Sequence, residues 1–280
     1  MLWDVFPDGE HFGGAPANVA VHAAGLCADA MMISAVGQDA RGDEALQRLV
    51  DLGADTSAVA RLADHPTGVV HVTVDSDGLP SYDIAAGSAW DCIPWSAAVE
   101  RAAQRADAIC FGTLAQRSPV SRATIRRAAR ATRETAWRLF DVNLRQNYYD
   151  SGLVIESLEL ANAVKLNEEE LPVVARLCGL ASGPPVEQLR ALCERFELRL
   201  AALTQGPKGS LLVTAGDVWD APAPKTRVVD TVGAGDAFTA TLLVGILAGE
   251  SMAAVNRRAN VVAAYVCSQP GATPPVPKEI

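Results

Sequence analysis

The sequence predicts an α/β protein: a mainly parallel sheet with helices on both faces. Three observations predict it. Short apolar, β-branched runs recur along the 280 residues. Helical patterns of roughly 10–15 residues stand between many of these runs, the spacing of crossover connections. Composition is ordinary for a globular chain, with 49% hydrophobic and 20% charged residues, which excludes disordered, collagen-like and low-complexity classes. A chain this long buries roughly three quarters of the surface its unfolded form exposes, so it needs no disulfide or structural metal.

In chain order, the strand-like runs are 30–36, 68–75, 81–86, 108–112, 138–142, 163–166, 200–204 and 211–214. The stretch 16–28 has small and apolar residues on all sides and reads as a buried helix. A second helix, 43–52, puts Ala45, Leu46, Leu49 and Val50 on one face. The Arg-rich helix 120–132 is solvated on one side. Helix 185–196 carries a stripe of Val186, Leu189, Leu192, Cys193 and Phe196. Helix 236–248 is nearly all apolar and stops at Gly249, and 256–268 repeats that buried style. One stretch breaks the alternation. Between 67 and 86, two strand-like runs are joined by Asp75-Ser-Asp-Gly78, a hairpin signal. Two strands without a helix suggest a small appended sheet, a lid inserted at about 66–88. Otherwise 1–280 reads as one domain with no repeat and no long linker.

The net charge is −9 and no basic run exists, so a nucleic-acid partner is not expected. Twenty arginines against four lysines read as compositional drift. The six cysteines form no CxxC, and four lie in apolar stretches. They read as reduced core thiols of a cytoplasmic protein. The four histidines show no HExxH or HxxxH spacing. No segment approaches the roughly 18 apolar residues of a membrane span, and the N-terminus lacks a signal pattern. Neither a membrane nor a nucleic acid is therefore an expected partner.

The strongest local signal runs from Val229 to Phe238. A strand-like end enters Gly233-Ala-Gly235, then Asp236, then an apolar helix. Glycines let backbone N–H groups turn toward one point, and a helix N-terminus adds partial positive charge, which together cradle an anion. No Gly-Lys dipeptide occurs, so this is not a Walker A loop. Phe238 stands where the third glycine of GxGxxG would be, which argues against a dehydrogenase. HRD and DFG are absent, which excludes a protein-kinase site. Alone, the segment reads equally as a glycine turn capped by Asp236. A second glycine-rich element, Gly13-Gly-Ala-Pro-Ala-Asn18, opens another buried helix with Pro16 in its first turn, and tips the balance toward a phosphate site.

Taken together, GGAPANVA (13–20) and DTVGAGDAFTA (230–240) resemble the two signatures of the ribokinase-like (PfkB-type) carbohydrate kinase family, over nearly the whole chain. Asn167-Glu-Glu-Glu170 resembles its NxxE motif, and Thr204-Gln-Gly-Pro-Lys-Gly209 its TxGxxG nucleotide loop. Within the family, segments 3–10, 111–119, 140–149 and 268–275 look most like bacterial fructokinases. The resemblance implies a three-layer αβα fold with a small β lid, and ATP- and Mg²⁺-dependent phosphorylation of a sugar hydroxyl. It makes Asp236 the catalytic base. A carboxylate at a helix start is expected to stay ionised, a weak base that suits a loose transition state. Amides around Gly233, Ala234, Gly235 and Asp236 would hold the transferring phosphoryl group.

By the same resemblance, Asn167 serves the phosphates and Glu170 serves Mg²⁺ through water; read alone, they are a helix start with an acidic first turn. Thr204, Gly206 and Gly209 line the nucleotide; alone they are a hairpin turn. Asn260 matches the adenine-side asparagine; alone it is a buried side chain capping a loop. On the sugar side stand Asp4, Gly14, Asn18, Gln116 and Arg145, with Tyr82 on the lid. Many members also bind a monovalent cation such as K⁺, for which carbonyls near Asp230, Val232 and Gly271 are candidates. The lid is expected to mediate a homodimer, because a small two-sided sheet needs one face covered.

One departure stands out. Members usually begin with a full strand before the position of Asp4, and here only Met1-Leu-Trp3 precedes it. Either the gene start lies elsewhere or the innermost strand is cut short, leaving a gap with unpaired backbone groups. The expected activity is fructose phosphorylation. Ribokinase activity, 2-keto-3-deoxygluconate kinase activity (which Arg145 would suit) and a catalytically dead sugar- or nucleotide-binding homologue are its rivals.

Overall fold

The computed structural model describes residues 1–6, 9–74 and 80–280. Its first half holds β1 (Leu2–Phe6), β2 (Gly9–Gly13), α1 (Ala15–Gly25), β3 (Ser34–Gly37), α2 (Ala40–Asp51), β4 (Val59–Leu62), β5 (Val69–Val74) and β6 (Pro80–Ile84). Then come α3 (Ala97–Arg105), β7 (Ala108–Phe111), α4 (Pro119–Ala131), β8 (Trp137–Asp141), α5 (Ser151–Leu160), β9 (Ala163–Asn167), α6 (Glu170–Leu177) and α7 (Pro185–Phe196). The chain closes with β10 (Leu200–Thr204), β11 (Ser210–Val213), β12 (Val218–Ala221), α8 (Ala234–Leu247) and α9 (Met252–Cys267).

The large sheet has the order β12-β11-β10-β9-β8-β7. Strands β7 to β10 are parallel neighbours, and β11 and β12 extend the edge antiparallel. Side chains alternate across it, as a strand's two-residue period requires. Phe140, Val164, Leu166, Ala201 and Leu203 pack on one face against Val154, Leu158, Val174, Leu189 and Leu192 of α5, α6 and α7. Leu139, Ala163, Leu200 and Ala202 pack on the other against Phe238, Leu242, Val255 and Ala259 of α8 and α9. The result is the expected three-layer α/β architecture. Helix α8 is apolar all round because it is covered on two sides, by α1 and α9. Gly245 permits the close α8–α9 approach: a Cβ there would stand 2.8 Å from Val255 Cγ2.

A separate four-stranded sheet has the order β2-β1-β5-β6. The β5–β6 pair is antiparallel, as the sequence predicts, while the turn at 75–78 lies outside the described residues. The β1–β2 pair, which the alternation does not reveal, joins it through a parallel β1–β5 ladder. One face, carrying Leu2, Phe6, Val70, Val72 and Ile84, packs on Trp90, Leu114, Ala115 and Tyr148.

The large sheet is not continuous with β3 and β4. It ends at β7, while β3 and β4 form their own parallel two-stranded sheet. Met32 and Ser34 on one side and Cys110 and Phe111 on the other line the space between them. Ala108, Ile109 and Cys110 of this edge strand are half-buried, whereas most residues of β9 and β10 are almost entirely enclosed. The run predicted at 30–36 is correspondingly short: Met31 makes a single bridge to Asp55, and only Ser34–Gly37 is strand. Met1 is buried and also lines this space.

Candidate active site

A groove of about 2180 Å³ opens at the C-terminal ends of the parallel strands, the end where α/β sheets place their ligands. The small sheet, the start of α1, the start of α8 and the 268–274 loop wall it.

The α8 turn is built by Gly233, whose φ of 78° lies in the left-handed region. A Cβ there would run into the Ala272 backbone, so both conformation and space demand glycine. Beyond it, the backbone N–H of Ala234 makes only a 3.4 Å contact to Thr231 O, and those of Gly235 and Asp236 find no backbone acceptor among the described residues. All three residues line the groove. They present the unpaired donors and positive dipole end of a 14-residue helix.

Asp236 lies among these amides. Its Oδ2 accepts a hydrogen bond from Asn18 Nδ2 at 2.8 Å. Burial, then the nearby Asp141 carboxylate, push its carboxyl up to about 7, against the opposing pull of the Asn18 amide, Lys165 and Arg145. This corrects the expectation of a carboxylate kept ionised by its helix. Removal from water and a neighbouring like charge outweigh the dipole. Asp236 is therefore half-protonated near neutral pH, a stronger base than the sequence implies. Asn18 Oδ1 is buried and finds no partner among the described residues, an acceptor at the groove wall.

Among the expected sugar-side residues, Asp4, Gly14, Asn18 and Arg145 line the groove. Asp4 sits on β1, and its Oδ2 is 3.1 Å from where a Gly13 Cβ would stand, so Gly13 makes room for it. Burial raises the Asp4 carboxyl, with His11 and Arg145 opposing. Arg145 is exposed and donates to Leu144 O at 3.0 Å. Gln116 must be corrected. It is fully enclosed away from the groove, and its Nε2 donates to Gly112 O at 3.0 Å and Ser157 Oγ at 2.9 Å, tying loop to helix. Gln146, unpredicted, lines the groove instead and donates to Tyr82 O at 2.6 Å, joining the 142–150 loop to the small sheet.

Of the residues expected on the nucleotide side, Asn167, Thr204, Gly206, Gly209 and Asn260 all line the groove. Gly209, at φ 111°, leaves no room for a Cβ against Ala221 and Ala223. Asn260 both reaches the groove and holds a buried network, its Nδ2 donating to Ser210 Oγ at 2.6 Å and Asn256 O at 2.9 Å. Asn167 Oδ1 caps α6, accepting from the N–H groups of Glu169 and Glu170 at 2.9 Å each. Glu170 is a second correction. Its two oxygens accept from Leu144 N and Asn167 N at 2.9 Å, it is buried, and Glu169 rather than Glu170 faces the groove. The Asp230 carboxylate accepts from Val232 N at 3.0 Å and Gly271 N at 3.1 Å. That draws together the two loops expected to supply cation carbonyls. No cluster of three or more His, Cys, Asp or Glu suited to a metal occurs among the described residues, and no helix of theirs is long and apolar enough to cross a membrane.

Sequence reasoning missed Asp141 and Lys165, paired neighbours on β8 and β9 that both line the groove. The signal was there: Asp141 closes β8, and Lys165, one of only four lysines, stands inside β9.

Comparison with known proteins agrees with this geometry. Residues 8–279 match the pfkB family of carbohydrate kinases. The chain is 33% identical over 258 residues to a fructokinase of Klebsiella pneumoniae, covering 88% of this chain and 81% of that one. It is 30% identical over 239 residues to an aminoimidazole riboside kinase of Salmonella typhimurium, covering 82% and 72%. The crystal structure of an uncharacterized sugar kinase from Pyrococcus horikoshii in complex with ATP superposes with a TM-score of 0.82 at 29% identity, covering 97% of this chain and 91% of that one. The chain belongs to the pfkB carbohydrate kinase family. It is an ATP-using phosphotransferase whose acceptor is a sugar alcohol group.

Proposed function

We propose that the acceptor is D-fructose, phosphorylated at its terminal hydroxyl, with Asp236 as the catalytic base. The observation that carries this reading is the position of Asp236. It lies between the unpaired amides of the α8 start and the Asn18 side chain, with Asp4 on the same groove wall. Asp4 and the free Asn18 Oδ1 offer acceptors to neighbouring sugar hydroxyls. The reacting hydroxyl passes its proton to Asp236 as its oxygen bonds the γ-phosphorus. The bond from that phosphorus to the β–γ bridging oxygen breaks, and ADP leaves. The amides of Ala234, Gly235 and Asp236 take the charge spread over the transferring group. Thr204, Gly206, Gly209 and Asn260 hold the nucleotide, and Asn167 stands by its phosphates. The residues present fit Mg²⁺ held mainly on the nucleotide's phosphates, with Glu169 as the nearby groove carboxylate, and this ion would neutralise phosphate charge. Glu170 acts behind them, as the cap that shapes the Asn167 turn. Loops at Asp230, Val232 and Gly271 would suit K⁺ through their carbonyls. The small sheet acts as a lid that keeps water from the phosphoryl group.

A coupled assay over fructose, ribose, aminoimidazole riboside and 2-keto-3-deoxygluconate tests the substrate. Fructose is expected to give the highest kcat/KM. A higher value for another sugar overturns the assignment, and binding without turnover on any of them identifies a dead homologue.

A further inference from the structure

Lys165 is the one buried lysine of the four; Lys208, Lys225 and Lys278 are exposed. Its Nζ lies 3.1 and 3.4 Å from the two oxygens of Asp141. Asp141 Oδ2 also accepts from Thr239 Oγ1 at 2.8 Å, and that hydroxyl is 3.0 Å from Gly235 O, one turn earlier in α8. A Cβ on Gly235 would stand 3.1 Å from the Lys165 ammonium. The cation therefore sits close beneath the amides that face the groove, where a side chain on residue 235 would crowd it. Replacing a buried ion pair by apolar residues is often neutral or stabilising, so stability alone does not explain a charged pair here.

We propose that Lys165 and Asp141 are positioning residues of the kinase reaction: Lys165 presents positive charge to the phosphoryl site through the gap at Gly235, and Asp141 anchors that charge to α8 and opposes it at Asp236. The inference rests on Asp236 being the base. The groups facing Asp236 are Asn18 from α1, Asp141 from β8, Lys165 from β9, Arg145 from the following loop and Cys110 from β7, whose thiol burial keeps neutral.

The test is the acid limb of the pH profile of kcat/KM for the sugar at saturating ATP. Lys165→Met removes a stabilising cation, so the limb moves to higher pH. Asp141→Asn removes a repelling anion, so the limb moves to lower pH. Each shift is expected to be about half a pH unit or more, the scale of a nearby buried charge. A merely structural pair gives shifts of one sign or none, and that result overturns the proposal. If either single variant fails to fold, judged by circular dichroism, the double variant Lys165→Met/Asp141→Asn decides, because it leaves no lone buried charge. Its limb, compared with that of the single variant that folds, is expected to move back toward the wild-type position, and a limb that does not move back overturns the proposal. Asp236→Asn in the same assay separates the two readings. If it turns over at the wild-type rate, the base assignment has failed; if it is inactive and the limbs stay put, only the positioning role has.

Discussion

As the proposed base, Asp236 would carry opposite demands for catalysis and stability. Its carboxyl is raised from 3.8 to about 7, so the folded state holds the proton more tightly than the unfolded state. The stability from that proton is fully present below pH 4 and is lost as pH rises through about 7. Above pH 7 the buried charge costs up to about 4 kcal/mol. Asp236→Asn is therefore expected to raise the melting temperature at pH 8 and to leave it unchanged at pH 4. The same variant should bind ATP, measured by calorimetry, while turnover falls about 10²- to 10⁴-fold. Wild-type turnover at pH 7 in that variant refutes the base assignment. Gly233 is constrained differently. With φ at 78° and the Ala272 backbone against the missing side chain, Gly233→Ala must displace the 268–274 loop. Denaturant titration should show a loss of about 1–3 kcal/mol, with weaker phosphoryl transfer.

At the scale of elements, β7 is the weak point of the fold. Its partner on one side is β8, and on the other it meets the space facing β3. Backbone groups directed there have no strand to pair with among the described residues, and their local opening energy is expected to be low. Hydrogen exchange is expected to show the β7 amides that point away from β8 exchanging orders of magnitude faster than those of β9, which is paired on both sides. Equal protection in β7 and β9 would show that another group covers this edge. Element α8 behaves in the opposite way. It is enclosed by α1 and α9 and rigidly supports the amides at its start.

Across the whole molecule, the groove gathers residues from Asp4 to Gly271, and residues of the small sheet line one part of it. That sheet has one face covered by Trp90, Leu114 and Tyr148 of the same chain. Coverage alone therefore does not require a partner. The homodimer proposal rests on the outer face, where His71, Thr73 and Asp83 are exposed. A dimer in sedimentation at micromolar concentration supports it; a monomer there refutes it.

Sequence determined what periodicity and backbone chemistry encode. The parallel sheet, the buried α1, α8 and α9, the β5–β6 pair and the two glycine-rich turns were all legible, because alternation and glycine act locally. The β1–β2 pair was not, since its register depends on β5, more than fifty residues away. Gln116 and Glu170 misled because residue type does not reveal which way a side chain points: one ties a loop to α5, and the other caps a turn. The Asp141–Lys165 pair and the raised carboxyl of Asp236 were decided only by tertiary structure. Distance and desolvation set electrostatics, and neither exists until strands β8 and β9 lie beside α8.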